Sequence, residues 1–197
     1  MLQAAISAAL AACIALSGIP ATEWQAGKEW TDKPREMPQW YQGQAEWAAR
    51  PYGYGTMADS GCGLVSAAMA ASWLVKDEVP PDALLDAVGN SCTTGGLNDM
   101  AKFGDYMAGA YGIGVSDRYH DPQRAIADAK AGAAVICSVP GRLGDSVYTG
   151  HIVVAYWQDG LRIADPASQG NSSRVWSEAE FAATVWAYFY TWEKEEM

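Results

Sequence analysis

Histidine and cysteine are scarce in this 197-residue chain, which contains two of the first and four of the second. No Cys-x-x-Cys or His-x-x-x-His pair is present, so the spacing of a structural zinc site is missing. Basic residues are also few. Thirteen Lys and Arg against 23 Asp and Glu give a net charge of −10, which repels nucleic-acid phosphates. The sequence therefore predicts neither a metal site nor a nucleic-acid partner.

The N-terminus is apolar and rich in alanine, with no charged side chain before Glu23. The stretch from Ala4 to Leu16 suits the core of a signal peptide and is shorter than the ~20 apolar residues of a membrane span. We expect residues 1–22 to be a signal peptide or leader and the protein to be secreted or held in the cell envelope. The segment lacks the usual basic n-region, and an ordinary Ala-rich helix is the alternative. Leu10 to Cys13 also resembles a lipobox, which would make Cys13 a lipidated first residue.

Hydrophobic periodicity divides the rest of the chain into helices followed by strands. Helices are predicted over 59–75, 81–88, 97–111 and 122–130, and strands over 133–139, 151–157, 161–164 and 185–192. This order favours an α+β domain with an antiparallel sheet. We expect an irregular arm over residues 23–36, one domain over 37–192 and a charged, solvated tail over 193–197. The domain is expected to be a monomer.

Cys62 is the first candidate for chemistry because it lies between two glycines at the predicted start of the first helix. Asp59 or Ser60 would cap this helix, and the flanking glycines would keep the approach to the sulfur open. The N-terminus of a helix stabilises a thiolate, the form that attacks a carbonyl. The simpler interpretation is a small buried residue. Of the other thiols that remain after a leader is removed, Cys137 is expected in the core, whereas Cys92 could be structural or lie near the cleft.

A nucleophilic thiol needs a base, and His151 is the better of the two histidines. It opens the apolar strand 151–157, so its imidazole would lie at a sheet edge beside a loop. His120 is more simply a solvated loop residue.

Asp165 is the candidate that would orient the imidazole. A three-residue loop over 158–160 pairs Trp157 with Leu161, which makes Asp165 a diagonal neighbour of His151 on the same face. A two-residue loop would put Asp165 on the other face. The simpler interpretation of Asp165 is a turn residue before a proline.

A resemblance to a known family extends over roughly residues 37–192. The segments that carry it are Trp40-Tyr41-Gln42, Glu46-Trp47-Ala48, Pro51-Tyr52-Gly53, Gly61-Cys62-Gly63, Gly150-His151-Ile152 and Asp165-Pro166. In this order they resemble the C39-like, papain-fold cysteine peptidases. The resemblance implies a helical part that carries the cysteine and packs on an antiparallel sheet with the histidine and aspartate. The sequence departs from the family pattern at Leu64, where a proline is usual.

The same resemblance implies a function and a set of roles. Cys62 would be the nucleophile, His151 the base and acid, and Asp165 the orienting residue, with no cofactor. A glutamine would complete the oxyanion hole, and Gln42 is the first choice and Gln44 the second. The substrate would be a peptide or protein, with cell-wall peptides included. The alternatives are a non-catalytic surface binding module and an acyl transferase or transpeptidase.

Overall fold

The computed structural model describes residues 36–194 as an alternation of short helices and strands. In chain order the elements are β1 (Pro51–Tyr52), β2 (Gly55–Thr56), α1 (Met57–Ser60), α2 (Cys62–Val75), α3 (Pro81–Val88), β3 (Thr93–Thr94), β4 (Leu97–Asn98), α4 (Met100–Tyr111), β5 (Ile113–Val115), α5 (Pro122–Lys130), β6 (Ala134–Val139), β7 (Arg142–Leu143), β8 (Ser146–Val147), β9 (His151–Trp157), β10 (Leu161–Ala164), α6 (Gln169–Ser173), α7 (Glu178–Ala183) and β11 (Tyr188–Lys194).

Five of these strands form the central sheet, in the order β10, β9, β6, β11, β5. Each neighbouring pair is antiparallel. The remaining strands pair as three two-stranded hairpins, β1–β2, β3–β4 and β7–β8. The expected α+β class with an antiparallel sheet is confirmed.

Helices pack on both faces of the sheet because its strands alternate between two apolar cores. Along β6, Ala134 and Ile136 belong to the core that contains α2, while Val135, Cys137 and Val139 belong to the core that contains α5. Because both faces of β6 are buried, its sequence is a nearly continuous apolar run and does not alternate between apolar and polar residues.

Helix α2 is buried on all sides, from Gly63 to Leu74. The recurrence of Val65, Ala68, Met69, Ser72 and Trp73 at helical spacing predicts an apolar stripe buried on one side only, and this prediction is wrong. The sheet covers one side of α2, and α3 and α4 pack on others, so alanines such as Ala67 and Ala70 lie in the interior although they are off the predicted apolar stripe.

Element boundaries differ from the prediction where a cap or a pairing intervenes. The Asp99 side chain accepts hydrogen bonds from Ala101 and Lys102, so α4 begins at Met100 rather than Leu97. The last strand extends to Lys194, which pairs with Ile113, so the predicted tail is part of the sheet at its start. Strand β5, helix α6 and the three two-stranded hairpins were not predicted.

The predicted leader (residues 1–22, with Cys13) and nearly all of the predicted arm lie outside the described residues, as do the last three tail residues. Within residues 36–194, no helix combines the length and the apolarity that crossing a bilayer requires.

Candidate active site

Cys62 is the first residue of α2, and its position follows from a break in the chain before it. Gly61 ends α1 and is the N-cap residue of α2, and no side chain caps α2. The expectation that Asp59 or Ser60 caps this helix is therefore wrong. Asp59 instead accepts hydrogen bonds from Thr56, at the start of α1. The first-turn N–H groups of α2 are therefore left without a capping side chain beside the sulfur.

A buried hydrogen bond fixes the start of α2 against the start of β9. The Ser66 hydroxyl donates to the Ile152 carbonyl at 3.0 Å. Ser66 lies one helical turn after Cys62, and Ile152 is the neighbour of His151. This bond therefore holds the thiol and the imidazole in register.

His151 lies between the thiol and a carboxylate, and it is buried, with 5% of its surface exposed. Its Nε2 is 2.8 Å from Oδ1 of Asp165. Its side chain also interacts with that of Cys62, which contributes to its pKa. Because Nε2 is used by Asp165, Nδ1 is the ring nitrogen left for the sulfur.

The Asp165 carboxylate is buried, with 1% of the residue exposed, and is surrounded by donors. Besides His151, it accepts hydrogen bonds from the Tyr148 hydroxyl (2.9 Å), the Asn171 amide (2.8 Å) and the Ala167 N–H (2.9 Å). The strand register behind this geometry is the one expected from the three-residue loop, since Trp157 pairs with Leu161. Donors on both oxygens hold the carboxylate in its ionised form.

The pair of His151 and Asp165 is electrostatically coupled. Burial lowers the pKa of His151, but the hydrogen bond with Asp165, the interaction with Cys62 and the negative charges of both outweigh it and raise this pKa to about 9. Burial raises the pKa of Asp165, but the His151 hydrogen bond and charge, with the Asn171 and Ala167 donors, lower it below its ordinary value. Both shifts favour a protonated imidazole beside an ionised carboxylate.

Tyr148 and Asn171 support this pair and were missed by sequence reasoning. The Tyr148 ring stacks on the His151 ring, with centroids 4.1 Å apart and planes 20° from parallel. Burial and the Asp165 carboxylate raise the pKa of Tyr148 to about 12, so its hydroxyl remains a donor. Asn171 lies in α6, and its amide also donates to the Leu143 carbonyl at 3.2 Å. Tyr148 is three residues before His151, which was the one available signal.

Asn98 contacts the sulfur and was also missed. Its Nδ2 is 3.5 Å from Sγ of Cys62 and 2.9 Å from the Ser60 carbonyl, and its Oδ1 accepts from the Tyr52 hydroxyl at 2.8 Å. A side chain at residue 63 would collide with it, because an ideal Cβ there would lie 2.4 Å from the Asn98 Cγ. The glycine after Cys62 therefore makes room for Asn98, whereas the sequence suggested that it leaves the sulfur open.

Gln42 lies beside the site rather than in contact with the pair of His151 and Asp165. Its N–H donates to the Pro166 carbonyl at 2.8 Å, and its Nε2 donates to the Ala58 carbonyl at 2.5 Å. Gln44, the second choice, uses its Oε1 to accept from the Tyr41 N–H in a local turn. A hollow of about 450 Å³ lies here, lined in part by Gln42, Ala58 and Pro166.

The other candidates lie away from this arrangement. Cys92 and Cys137 are buried, and burial is the main cause that raises the pKa of each thiol. Cys137 lies in the α5 core, as expected, and His120 is exposed before α5. Among residues 36–194, all three cysteines are free and no cluster of potential metal ligands occurs.

Comparison of the chain with protein-family models, with characterised proteins and with solved structures gives no match. The chemistry of the site therefore rests on its geometry.

Proposed function

We propose that this chain is a cysteine peptidase in which Cys62 attacks the carbonyl of a peptide or amide bond. The observation that carries the proposal is the buried His151, whose Nε2 lies 2.8 Å from Oδ1 of Asp165 and whose side chain interacts with that of Cys62. Covalent catalysis by a thiol requires this arrangement, in which the base lies between the nucleophile and the group that orients it.

In the first half of the reaction, Cys62 attacks as the thiolate of a pair in which His151 holds the thiol proton: the sulfur forms a bond to the carbonyl carbon, and the C=O electron pair moves to oxygen. The His151 imidazolium then gives its Nδ1 proton to the leaving amine, the C–N bond breaks, and a thioester remains. Asp165 keeps the ring in place through Nε2, and its charge favours the imidazolium. The high pKa of His151 suits the role of acid in this half.

In the second half, His151 accepts a proton from water as the water oxygen attacks the thioester carbon. The C–S bond breaks, the carboxylic acid leaves, and the sulfur and imidazole return to their initial state. The acylation and release steps thus need no cofactor.

The negative charge that develops on the carbonyl oxygen needs donors. The backbone N–H of Cys62 is one candidate, because it belongs to the first turn of α2 and has no partner within the helix. Gln42 remains the proposed side-chain donor, although its Nε2 donates to the Ala58 carbonyl in the structure. Substrate binding would have to compete with this bond.

We also propose that the fold is papain-like. The support is that α2 carries Cys62 at its start and packs against β9, which begins at His151, while Asp165 directly follows β10. The proposed substrates are peptides or proteins, and cell-wall peptides are included among them.

The test is cleavage of a library of short peptides of known sequence, some with D-residues, with new termini identified by mass spectrometry. We expect the wild-type protein to produce new termini and Cys62→Ala and His151→Ala to produce none. His120→Ala is the matched control and should cleave as wild type does, since His120 is exposed. Cleavage that persists in Cys62→Ala contradicts the proposal.

A further inference from the structure

Asn98 has a fixed orientation next to the Cys62 sulfur, unlike an amide side chain that faces solvent and can turn. Its Oδ1 accepts from the Tyr52 hydroxyl at 2.8 Å, so its Nδ2 is the end that faces Ser60 and Cys62. Tyr52 itself is buried, with 1% exposed. Burial, and the nearby Cys92 and Cys62 thiols, raise the pKa of Tyr52, so its hydroxyl stays a donor and the amide cannot turn without losing this bond.

We propose that Asn98 is a further catalytic residue, which donates a hydrogen bond from Nδ2 to the Cys62 sulfur and stabilises its thiolate form. The proposal rests on the proposed function, because it assigns Asn98 to the same nucleophile. It gives the sulfur two donors, the His151 imidazolium and the Asn98 amide.

The geometry fits this role better than a purely structural one. One N–H of the amide satisfies the Ser60 carbonyl at 2.9 Å, which leaves the second N–H for the sulfur at 3.5 Å. A purely structural role, which anchors the β3–β4 hairpin, would need only the bond to Ser60 and not the contact between the Asn98 amide and the Cys62 sulfur. The glycine at position 63 permits this approach, since a Cβ there would lie within 2.6 Å of the Asn98 Cγ, Cβ and Oδ1.

Hydrogen bonds to a charged acceptor are about twice as strong as those between neutral groups. An N–H donor therefore favours the thiolate over the thiol, because the neutral thiol sulfur is only a weak hydrogen-bond acceptor. The protein would then hold a larger fraction of reactive sulfur at acidic pH than it would without Asn98.

The test is alkylation of the folded, full-length protein by iodoacetamide at about pH 6 and at about pH 10, with the rate at Cys62 followed by mass spectrometry. We expect Asn98→Ala to alkylate about tenfold more slowly than wild type at the lower pH, because a donor to a charged group is lost. At the higher pH a thiol ionises without the help of a donor, so the rates should converge.

Two further variants keep the test valid if Asn98→Ala does not fold. Asn98→Asp keeps the shape and the acceptor for Tyr52 but replaces the N–H donor with a negative charge, so alkylation at low pH should slow further. Tyr52→Phe keeps the ring and frees the amide to turn, so it should give a smaller loss. Asn90→Ala is the matched control, because Asn90 lies in the same region, bonded to the Gly53 N–H, and should leave the rate unchanged.

Wild-type rates at low pH in the folded Asn98 variants would overturn the proposal, and so would an equal loss at both pH values, which indicates altered access. The readout needs no substrate turnover. If no peptide is cleaved but the alkylation rates shift as expected, the proposed function fails while the role of Asn98 as a donor to the sulfur stands.

Discussion

The rate at which Cys62 is labelled should fall at alkaline pH, and replacing Asp165 by Asn should shift the midpoint of this fall to lower pH. The substitution keeps the size of the side chain and one oxygen acceptor for His151 but removes the negative charge 2.8 Å from Nε2. The pKa of His151 is about 9 with that charge in place. An opposite charge at this range changes a pKa by about 1–3 units, so the alkaline midpoint should fall to between about pH 6 and pH 8.

The size of the effect follows from the protonated fraction of the imidazole. At pH 8 a group with a pKa of about 9 is about nine-tenths protonated, whereas a group with a pKa of about 7 is about one-tenth protonated. The reaction with a peptidyl vinyl sulfone needs this proton, because the sulfur adds to the β-carbon and the imidazolium protonates the α-carbon. Labelling of Asp165→Asn at pH 8 should thus be slower by on the order of tenfold.

The assay is the rate of adduct formation, measured by intact mass between about pH 5 and pH 10 on protein shown to be folded by circular dichroism. Asp145→Asn is the matched control, because this exposed carboxylate lies in the nearby β7–β8 turn. Its profile should coincide with that of wild type. If the Asp165→Asn profile also coincides with wild type, the Asp165 charge does not set the protonation of His151 and the reasoning is refuted.

Two further predictions concern stability, measured by urea unfolding. Tyr148→Phe keeps the ring that stacks on the imidazole but removes a donor to Asp165, so the free energy of unfolding should fall by about 1–2 kcal/mol; no change would show that the carboxylate does not depend on this hydroxyl. Gly63→Ala should destabilise the protein by about 1–3 kcal/mol because the new Cβ collides with Asn98. Gly109→Ala, the same change in α4 with nothing within 4 Å, should instead stabilise by about 0.5–1 kcal/mol. Equal effects at the two glycines would contradict the close approach of Asn98.

Local signals predicted those parts of the fold that depend on near neighbours in the chain. Helices α3 and α5 begin at a proline, and α5 has Asp121 as its cap, so their bounds could be derived from the sequence. The turn between β9 and β10 contains Asp159 and Gly160, both with positive φ, and its length sets the register that brings Asp165 to the face of His151. This register was the key step in the prediction of the site.

Contacts between distant segments could not be derived in this way. Asn98 is 36 residues from Cys62 and lies in a two-residue strand, which has no periodicity to detect. Asn171 follows Asp165 in a short polar helix whose sequence gives no sign of a buried amide. The burial of α2 on all sides depends on which elements pack around it, and a one-dimensional pattern does not contain that information.

The most direct test of the central claim is to locate the adduct of a peptidyl vinyl sulfone on the native protein by tandem mass spectrometry. Among the cysteines of residues 36–194 we predict one adduct, on Cys62, which is absent in Cys62→Ala and forms far more slowly in His151→Gln. Cys92 and Cys137 should stay unmodified because they are 3% and 0% exposed. An adduct on Cys92 or Cys137 in place of Cys62, or undiminished labelling of His151→Gln, would contradict the claim that His151 activates Cys62.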